Sequence, residues 1–247
     1  MSYHNPVLLE ESVNALAIKA EGVYIDVTFG GGGHSKEILK KLGKNGKLFA
    51  FDQDPDALAN VIDDERFQLI PENFRYISRF LRFYGVRKVD GILADLGVSS
   101  HQFNEAERGF SIRFDGDLDM RMNQKSKISA KEIVNNYSEE KLAEILFLYG
   151  ELRNSRNIAK TIVEKREENK IETSFQLKNA LQKYLPKAKE HKILAQIFQA
   201  FRIEVNEELE VLKEFLQQTP TLLKEEGRLS VISYHSLEDR LVKRFIR

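Results

Sequence analysis

The sequence of 247 residues has no cysteine and no tryptophan, and only five histidines and five prolines. The absence of cysteine excludes disulfides, thiolate metal ligands and a cysteine nucleophile. Because the histidines are scattered, no zinc-ligand spacing is present and no metal is predicted. No apolar run is long enough to span a membrane, and the N-terminus lacks a signal-peptide pattern. We therefore predict a cytoplasmic protein with no membrane partner.

The formal net charge is zero, but the charges are distributed unevenly along the chain. Residues 1–120 carry 14 Lys+Arg and 19 Asp+Glu, whereas residues 121–192 carry 16 Lys+Arg and 10 Asp+Glu. A segregated basic segment can bind a polyanion even when the whole protein is neutral. Charge alone, however, favours the simpler interpretation of a solvated helical surface.

Short apolar runs alternate with helical patterns in the first hundred residues. The runs cover residues 23–29, 47–51, 67–70 and 89–96, and a comparable run follows at 227–234. Alternation at this interval predicts βαβ units and a parallel sheet. The runs are almost continuously apolar, which is typical of strands that are covered on both faces.

The alternation is interrupted between Leu96 and Arg228, a span too long for one crossover. Helical patterns fill most of it, near residues 130–149, 151–168, 173–185 and, as one long amphipathic segment, 191–217. We predict a doubly wound α/β core formed by residues 1–113 and 205–247, with an all-helical domain inserted at 114–204. Because open sheets of this type usually have more than five strands, we expect further C-terminal strands beyond Arg247.

Four consecutive glycines, Gly30–Gly33, follow the first apolar run and precede a helical pattern. In a doubly wound sheet this junction lets a ligand approach bare backbone. Asp52 lies about 20 residues further on, where a carboxylate can accept hydrogen bonds from ribose hydroxyls. Ser35 occupies the third glycine position of the dinucleotide fingerprint, and the P-loop Lys-Ser/Thr pair is absent. Asp26, two residues before Thr28, then fits an S-adenosylmethionine loop better, and a purely structural turn is the alternative.

A second carboxylate, Asp95, ends the fourth apolar run and is followed by Gly97. At the carboxyl end of a strand it would face the same crevice as the glycine loop. It would there contact the charged end of a cofactor or a reacting amine. The alternative is a capping or turn aspartate with no role beyond the local fold.

Several blocks of the sequence resemble one family over nearly the whole chain. The most specific are Asp95–Ser100, Asp119–Met122 and His235–Arg240, and the glycine loop with Asp52–Pro55 agrees with them. The chain resembles the bacterial 16S rRNA (cytosine-N(4)-)methyltransferases, the RsmH or MraW family. The resemblance implies a class I methyltransferase fold (Rossmann-like), S-adenosylmethionine as methyl donor, and an inserted helical domain that engages RNA.

The same resemblance implies the substrate and the cofactor contacts. The product would be N(4)-methylcytidine in the decoding region of 16S rRNA within the small ribosomal subunit, and a homodimer is compatible with it. The cofactor-binding residues would be Gly32, Gly33, His34, Asp52, Phe74, Asp95 and Gln102. For Phe74, a place in the core at the start of a helix is a strong alternative.

The acceptor side of the site is less well defined by the sequence. Asn206 and His235, with Asp95, are candidates for lining the base pocket, and Arg202 would share a helix face with Asn206. A solvent-facing Asn206 and a structural His235 are equally compatible with the sequence, and no general base is assigned. Tyr234 departs from the family, which more often has Phe at this position.

Basic residues supply the candidate contacts to an RNA backbone, where phosphate binding would be salt-dependent and unspecific. They are Arg75, Arg79, Arg82, Arg87, Lys88, Arg153, Arg156, Lys160, Lys165 and Arg166.

Two other functions remain open at the level of sequence. A nicotinamide-dependent oxidoreductase could use a similar sheet, although Ser35 at the third fingerprint position argues against it. A non-catalytic rRNA-binding assembly factor could retain the cofactor pocket without performing a reaction.

Overall fold

The computed structural model describes residues 6–247, so residues 1–5, which contributed to the argument against a signal peptide, lie outside it. The strands are β1 (Val23–Asp26), β2 (Lys47–Phe51), β3 (Phe67–Ile70), β4 (Val89–Asp95) and β5 (Leu223–Ile232). The helices are α1 (Leu9–Ala15), α2 (Gly33–Lys41), α3 (Ile77–Phe83), α4 (Ser100–Asn104), α5 (Ala130–Asn136), α6 (Glu139–Leu148), α7 (Ser155–Glu168), α8 (Ser174–Ala180), α9 (Glu190–Asn206), α10 (Glu208–Leu222) and α11 (Ser236–Ile246). No helix in the described part of the chain is both long and apolar enough to cross a membrane.

The five strands form one sheet in the order β3-β2-β1-β4-β5, and every pair of neighbours is parallel. This confirms the predicted Rossmann-like parallel sheet. The order reverses at β1, so the crevice beyond β1 and β4 is the topological switch point, where ligands of such sheets bind.

Alternating side chains cover the sheet on both faces, as the continuous apolar runs predicted. Ile25, Phe51 and Ile92 point into a core that includes residues of α3, α10 and α11. Tyr24 and Leu93, their neighbours along β1 and β4, point into the opposite core with residues of α1 and α2. The period-2 geometry of a strand therefore accounts for both layers of helices.

The chain divides into two compact units, residues 1–99 with 209–247, and residues 100–208. The predicted boundaries, 1–113 with 205–247 for the core and 114–204 for the insert, differ from this division. Segment 100–113 groups with the helical unit because Arg108 is tied to it: its carbonyl accepts from the Met120 N–H at 3.0 Å, and its guanidinium donates to the Arg121 carbonyl at 2.9 Å.

The helical segments are shorter than the sequence predicted. The stretch 191–217 is not one helix but α9 and α10, separated at Glu207, whose φ of 50° is left-handed. The stretch 130–149 is likewise broken into α5 and α6, because Ser138 has extended backbone and caps α6 by accepting from the Lys141 N–H. Amphipathic periodicity continues across both breaks, so it cannot reveal them.

Candidate functional site

In the glycine loop after β1, neither backbone conformation nor packing requires glycine at position 31. Gly30 and Gly32 have left-handed φ values of 49° and 75°, which glycine adopts without strain. A Cβ on Gly33 would lie 2.2 Å from Cγ of Pro6, so close packing requires glycine there. Gly31 has no left-handed φ, and a Cβ built on it would meet nothing within 4 Å. Its bare backbone faces open space, as a closely approaching ligand would need.

A buried carboxylate, Asp26, organises the loop from below. Its Oδ2 accepts from the Ser35 hydroxyl at 2.7 Å, and its Oδ1 accepts from the Thr28 N–H at 3.1 Å. The Thr28 hydroxyl in turn accepts from the Asp95 N–H at 2.7 Å. These hydrogen bonds join the end of β1 to the end of β4. Sequence analysis noted Asp26 and Thr28 as part of the loop pattern but missed this role.

His34, in the first turn of α2, lies close to Asp95, the last residue of β4. His34 Nδ1 is 3.7 Å from Asp95 Oδ2, and the buried Nε2 of His34 has no hydrogen-bond partner among residues 6–247. Burial raises the pKa of the Asp95 carboxyl and also that of Asp26, although hydrogen bonds and His34 oppose it in both. The ionised forms of both acids are therefore less favourable here than in water.

Asp52 lies directly after β2, as predicted, and holds the glycine loop. Its Oδ2 accepts from the Gly30 N–H at 2.7 Å and its Oδ1 from the Asp54 N–H at 2.8 Å. Burial raises the pKa of Asp52 to about 6, against these two hydrogen bonds. Each oxygen has taken one donor, and a carboxylate oxygen can accept a second. Asn60, which the sequence did not single out, donates to the Gly30 carbonyl at 3.1 Å.

Phe74 and Gln102 are placed differently from the other predicted cofactor residues. The Phe74 ring packs edge-on against Phe215, with ring centroids 5.3 Å apart, and joins one of the sheet's cores. The packing alternative for Phe74 is thus present in the structure, and its contact with a cofactor stays a prediction. Gln102 is buried within α4 of the helical unit.

The segment after β5 brings two further side chains to the sheet edge. Tyr234 donates its hydroxyl to Asp95 Oδ1 at 2.8 Å, and its backbone N–H donates to Oε2 of the buried Glu238 at 2.9 Å. His235 caps α11 from extended backbone, without a side-chain capping bond. Its Nε2 is 3.2 Å from Glu238 Oε1, but the geometry does not make a hydrogen bond. Tyr234 was noted in the sequence only as a departure from the family, so its contact with Asp95 was missed.

Asn206 and Arg202 are engaged within the helical unit. The Asn206 amide accepts from the Met122 N–H at 2.8 Å and donates to the carbonyls of Met120 and Arg202 at 2.8 and 2.9 Å. Arg202 forms a two-point ion pair with Glu208, with N–O distances of 2.8 and 2.9 Å. The Asn206 amide is thus bonded to backbone groups and does not simply face solvent, which was the alternative, and its place in a base pocket stays a prediction.

Arg75, one of the predicted phosphate contacts, lies in the turn before α3 and has an internal partner. The Arg75 guanidinium forms a two-point ion pair with Glu214 at 2.7 and 2.8 Å, so its charge is already neutralised within the unit. In the helical unit, Arg166 donates to the Val134 carbonyl at 2.8 Å, whereas Arg153 and Arg156 are exposed. The sequence could not show which arginines are committed to internal partners.

Together, the sheet order, the glycine loop after β1 and the acids at the ends of β2 and β4 define a Rossmann-like α/β protein with a candidate ligand site at its switch point. The sequence matches the family model described as the MraW methylase family over residues 1–247. The chain therefore belongs to the MraW methylase family and is a methyltransferase. The hypothesis of a nicotinamide-dependent oxidoreductase is therefore wrong.

Similar proteins of known name agree with this family. The chain is 67% identical over 247 residues to a protein of Christiangramia forsetii, and 65% identical over 247 residues to one of Flavobacterium johnsoniae. Both are named "Ribosomal RNA small subunit methyltransferase H", and each match covers 100% of this chain and 82% of the relative.

Among solved structures, a putative rRNA-methylase from Clostridium thermocellum is similar at 20% identity and a TM-score of 0.34, over 40% of this chain and 55% of that one. A putative methyltransferase from Streptococcus mutans, in complex with SAH, is similar at 22% identity and a TM-score of 0.32, over 40% and 56%. Similarities at this level carry no argument about the site.

Proposed function

We propose that this chain transfers the methyl group of S-adenosylmethionine to the exocyclic N(4) amine of a cytidine in the decoding region of 16S rRNA. The observation that carries the proposal is the family match over residues 1–247, together with relatives at 67% and 65% identity whose names specify rRNA of the small subunit. A small-subunit rRNA substrate also implies a cytoplasmic protein.

The residues at the switch point fit S-adenosylmethionine. Gly31 leaves open space for close approach, each Asp52 oxygen retains an acceptor position for a ribose hydroxyl, and the buried Nε2 of His34 lacks a partner within residues 6–247. The cofactor would supply an electrophilic methyl group on a sulfonium. It would be held by Gly32, Gly33, His34, Asp52, Phe74, Asp95 and Gln102.

Asp95 is the residue we assign to the acceptor amine. The N(4) amine of cytosine is a weak nucleophile because its lone pair is delocalised into the ring, so orientation of the amine is the main requirement. A carboxylate oxygen of Asp95 would accept an amine N–H and fix that orientation. The amine proton becomes acidic only as the new bond forms, so no strong base is needed before attack. Burial, which raises the pKa of Asp95, makes its carboxylate a better proton acceptor at that moment.

The RNA must present its cytidine unpaired or flipped out of a helix, because the amine is inaccessible inside a base pair. Exposed basic side chains, among them Arg153 and Arg156, would add phosphate contacts that weaken with salt. We also propose a homodimer, which light scattering would detect as twice the chain mass of 28.6 kDa.

Transfer of labelled methyl groups to small subunits that lack the modification tests the proposal. After digestion to nucleosides, we expect the label in N(4)-methylcytidine, and subunits that already carry the modification should accept none. Label on another atom, or no transfer to any small-subunit substrate, would refute the assignment. A role as a non-catalytic assembly factor would instead predict that Asp95→Ala, although inactive, still supports subunit assembly in cells.

A further inference from the structure

Tyr234 has an exposed ring and a fixed hydroxyl beside the carboxylate that we assign to the acceptor amine. We propose that its ring is one wall of the pocket for the target base and that its hydroxyl orients Asp95 toward the amine. The inference rests on the proposed function and adds to it the residue that recognises the flat face of the base.

The position of Tyr234 follows from strand pairing within one unit. β5 is the parallel neighbour of β4, with Ile232 opposite Asp95, so Tyr234 emerges two residues later at the same edge of the sheet. Its hydroxyl is 2.8 Å from Asp95 Oδ1, and its Cδ2 is 3.5 Å from the point where a Cβ of Gly97 would lie. The ring therefore lies alongside the Asp95–Gly97 segment.

Both ends of Tyr234 are held, yet its ring remains accessible. The backbone N–H donates to the buried Glu238, the hydroxyl donates to Asp95, and 53% of the residue is exposed. An aromatic ring that is fixed before binding loses little entropy when a base stacks on it. Every base can stack on an aromatic side chain, whatever the nucleotide sequence, and flipped bases are commonly held in this way.

The hydroxyl also determines what Asp95 can offer to the amine. Oδ1 accepts a hydrogen bond from the Tyr234 hydroxyl, whereas Oδ2 lies 3.7 Å from His34 Nδ1, which is too long for a hydrogen bond. Each oxygen retains a lone pair for an amine N–H. The titratable groups that face Asp95 are Tyr234, His34, Asp26 and Glu238. Among them, the Tyr234 hydrogen bond lowers the pKa of Asp95, and Asp26 and Glu238 raise it.

Two substitutions separate the ring from the hydroxyl. Tyr234→Leu removes the ring, and we expect kcat/KM for unmodified small subunits to fall about tenfold, the value of one modest stacking contact. Tyr234→Phe keeps the ring and removes the hydroxyl. We expect it to retain most of the affinity for RNA, to lower kcat a few-fold, and to move the acid limb of the kcat profile to higher pH, because Asp95 loses the hydrogen bond that lowers its pKa.

Binding measurements distinguish a pocket wall from a structural residue. We use a short RNA that carries a fluorescent cytosine analogue at the target position. Wild type and Tyr234→Phe should quench the fluorescence of the analogue, and Tyr234→Leu should not. Affinity for S-adenosylmethionine and the unfolding temperature should stay as in wild type for both variants. Phe83→Leu, at a ring that is 80% exposed on α3, is the matched control for loss of a surface aromatic.

The outcomes separate the two proposals. If wild type transfers no methyl group to cytosine N(4), the proposed function fails. If wild type is active but Tyr234→Leu keeps full kcat/KM and full quenching, or loses cofactor affinity in parallel with activity, the assignment of Tyr234 is overturned. A Tyr234→Phe profile that coincides with wild type would overturn the role of the hydroxyl alone.

Discussion

Carboxylates at the edge of the sheet and carboxylates in the helical unit have pKa values that are shifted in opposite directions. Asp26, Asp52 and Asp95 have raised pKa values, and burial is the largest cause in each. In the helical unit, Asp119 is also partly buried, but hydrogen bonds from Arg121 overcome that burial and hold its pKa below the usual range. Glu132 has a lowered pKa because the Ser129 hydroxyl bonds to it in a capping box.

This difference shows what each set of acids contributes. An acid whose pKa is lowered on folding stabilises the fold at neutral pH, whereas one whose pKa is raised weakens it. For Asp52 the folded value is about 6, so the native state binds more protons between about pH 4 and 6. Its contribution to stability is therefore present at low pH and is lost as the pH rises through that window. The raised pKa values therefore destabilise the fold at neutral pH at the sheet edge, where a ligand would bind. The lowered pKa values of Asp119 and Glu132 in the helical unit have the opposite effect.

The largest effect is expected from Asp95→Asn. The substitution removes the charge that would accept the amine N–H, so we expect methyl transfer to fall about 100-fold. Because the charged form of Asp95 is disfavoured by burial, stability at pH 7 should not fall. Rates with small subunits and thermal unfolding check the two parts. If Asp95→Asn unfolded at a clearly lower temperature than wild type, the distinction between the two sets of acids would be lost.

The opposite behaviour is expected from Asp119→Ala in the helical unit. The guanidinium of Arg121 would lose both hydrogen bonds to Asp119, now at 2.8 and 2.7 Å, in a partly buried position. We expect the free energy of unfolding to fall by about 2 kcal/mol, between the values for exposed and buried pairs. Affinity for S-adenosylmethionine, measured by calorimetry, should stay unchanged. A stability equal to wild type would show that this acid is not a structural one.

Neighbouring glycines of the loop should separate binding from folding. Gly31→Ala places its Cβ in open space, so we expect normal stability but about tenfold weaker binding of S-adenosylmethionine, from steric conflict with the ligand. Gly33→Ala, the matched variant, would contact the Pro6 ring and should lower the unfolding temperature. Equal cofactor affinity in Gly31→Ala and wild type would contradict the proposal that the ligand approaches the backbone of Gly31.

The smallest effect concerns pH. Asp52 has a pKa of about 6 in the free protein, so it is mostly protonated at pH 5 and mostly ionised at pH 7. A protonated carboxyl still accepts one hydrogen bond, and we expect only about threefold weaker cofactor binding at pH 5 than at pH 7. Asp52→Asn should flatten this dependence in calorimetric titrations. A dependence that persists unchanged in the variant would assign it to another group.

The sequence predicted the architecture because that architecture depends on local periodicity. The runs at 47–51 and 67–70 coincide with β2 and β3, since a buried parallel strand needs a continuous apolar stretch. The positions of Asp52 and Asp95 followed from the same rule, because the carboxyl ends of parallel strands lie at one edge of the sheet. The helix break at Glu207 was missed, since hydrophobic periodicity carries no information about a single backbone angle.

The sequence by itself determined the strand and helix alternation, the glycine loop and the carboxylates that follow the strands. Only the tertiary structure decided which polar groups are committed and which remain available. Arg75 is paired with Glu214 and Tyr234 with Asp95, and each pair is separated by 139 residues along the chain. Gly31 is likewise distinguished from Gly33 only by the presence of the Pro6 ring beside one and open space beside the other. Such contacts depend on distances across the fold, which no local pattern encodes.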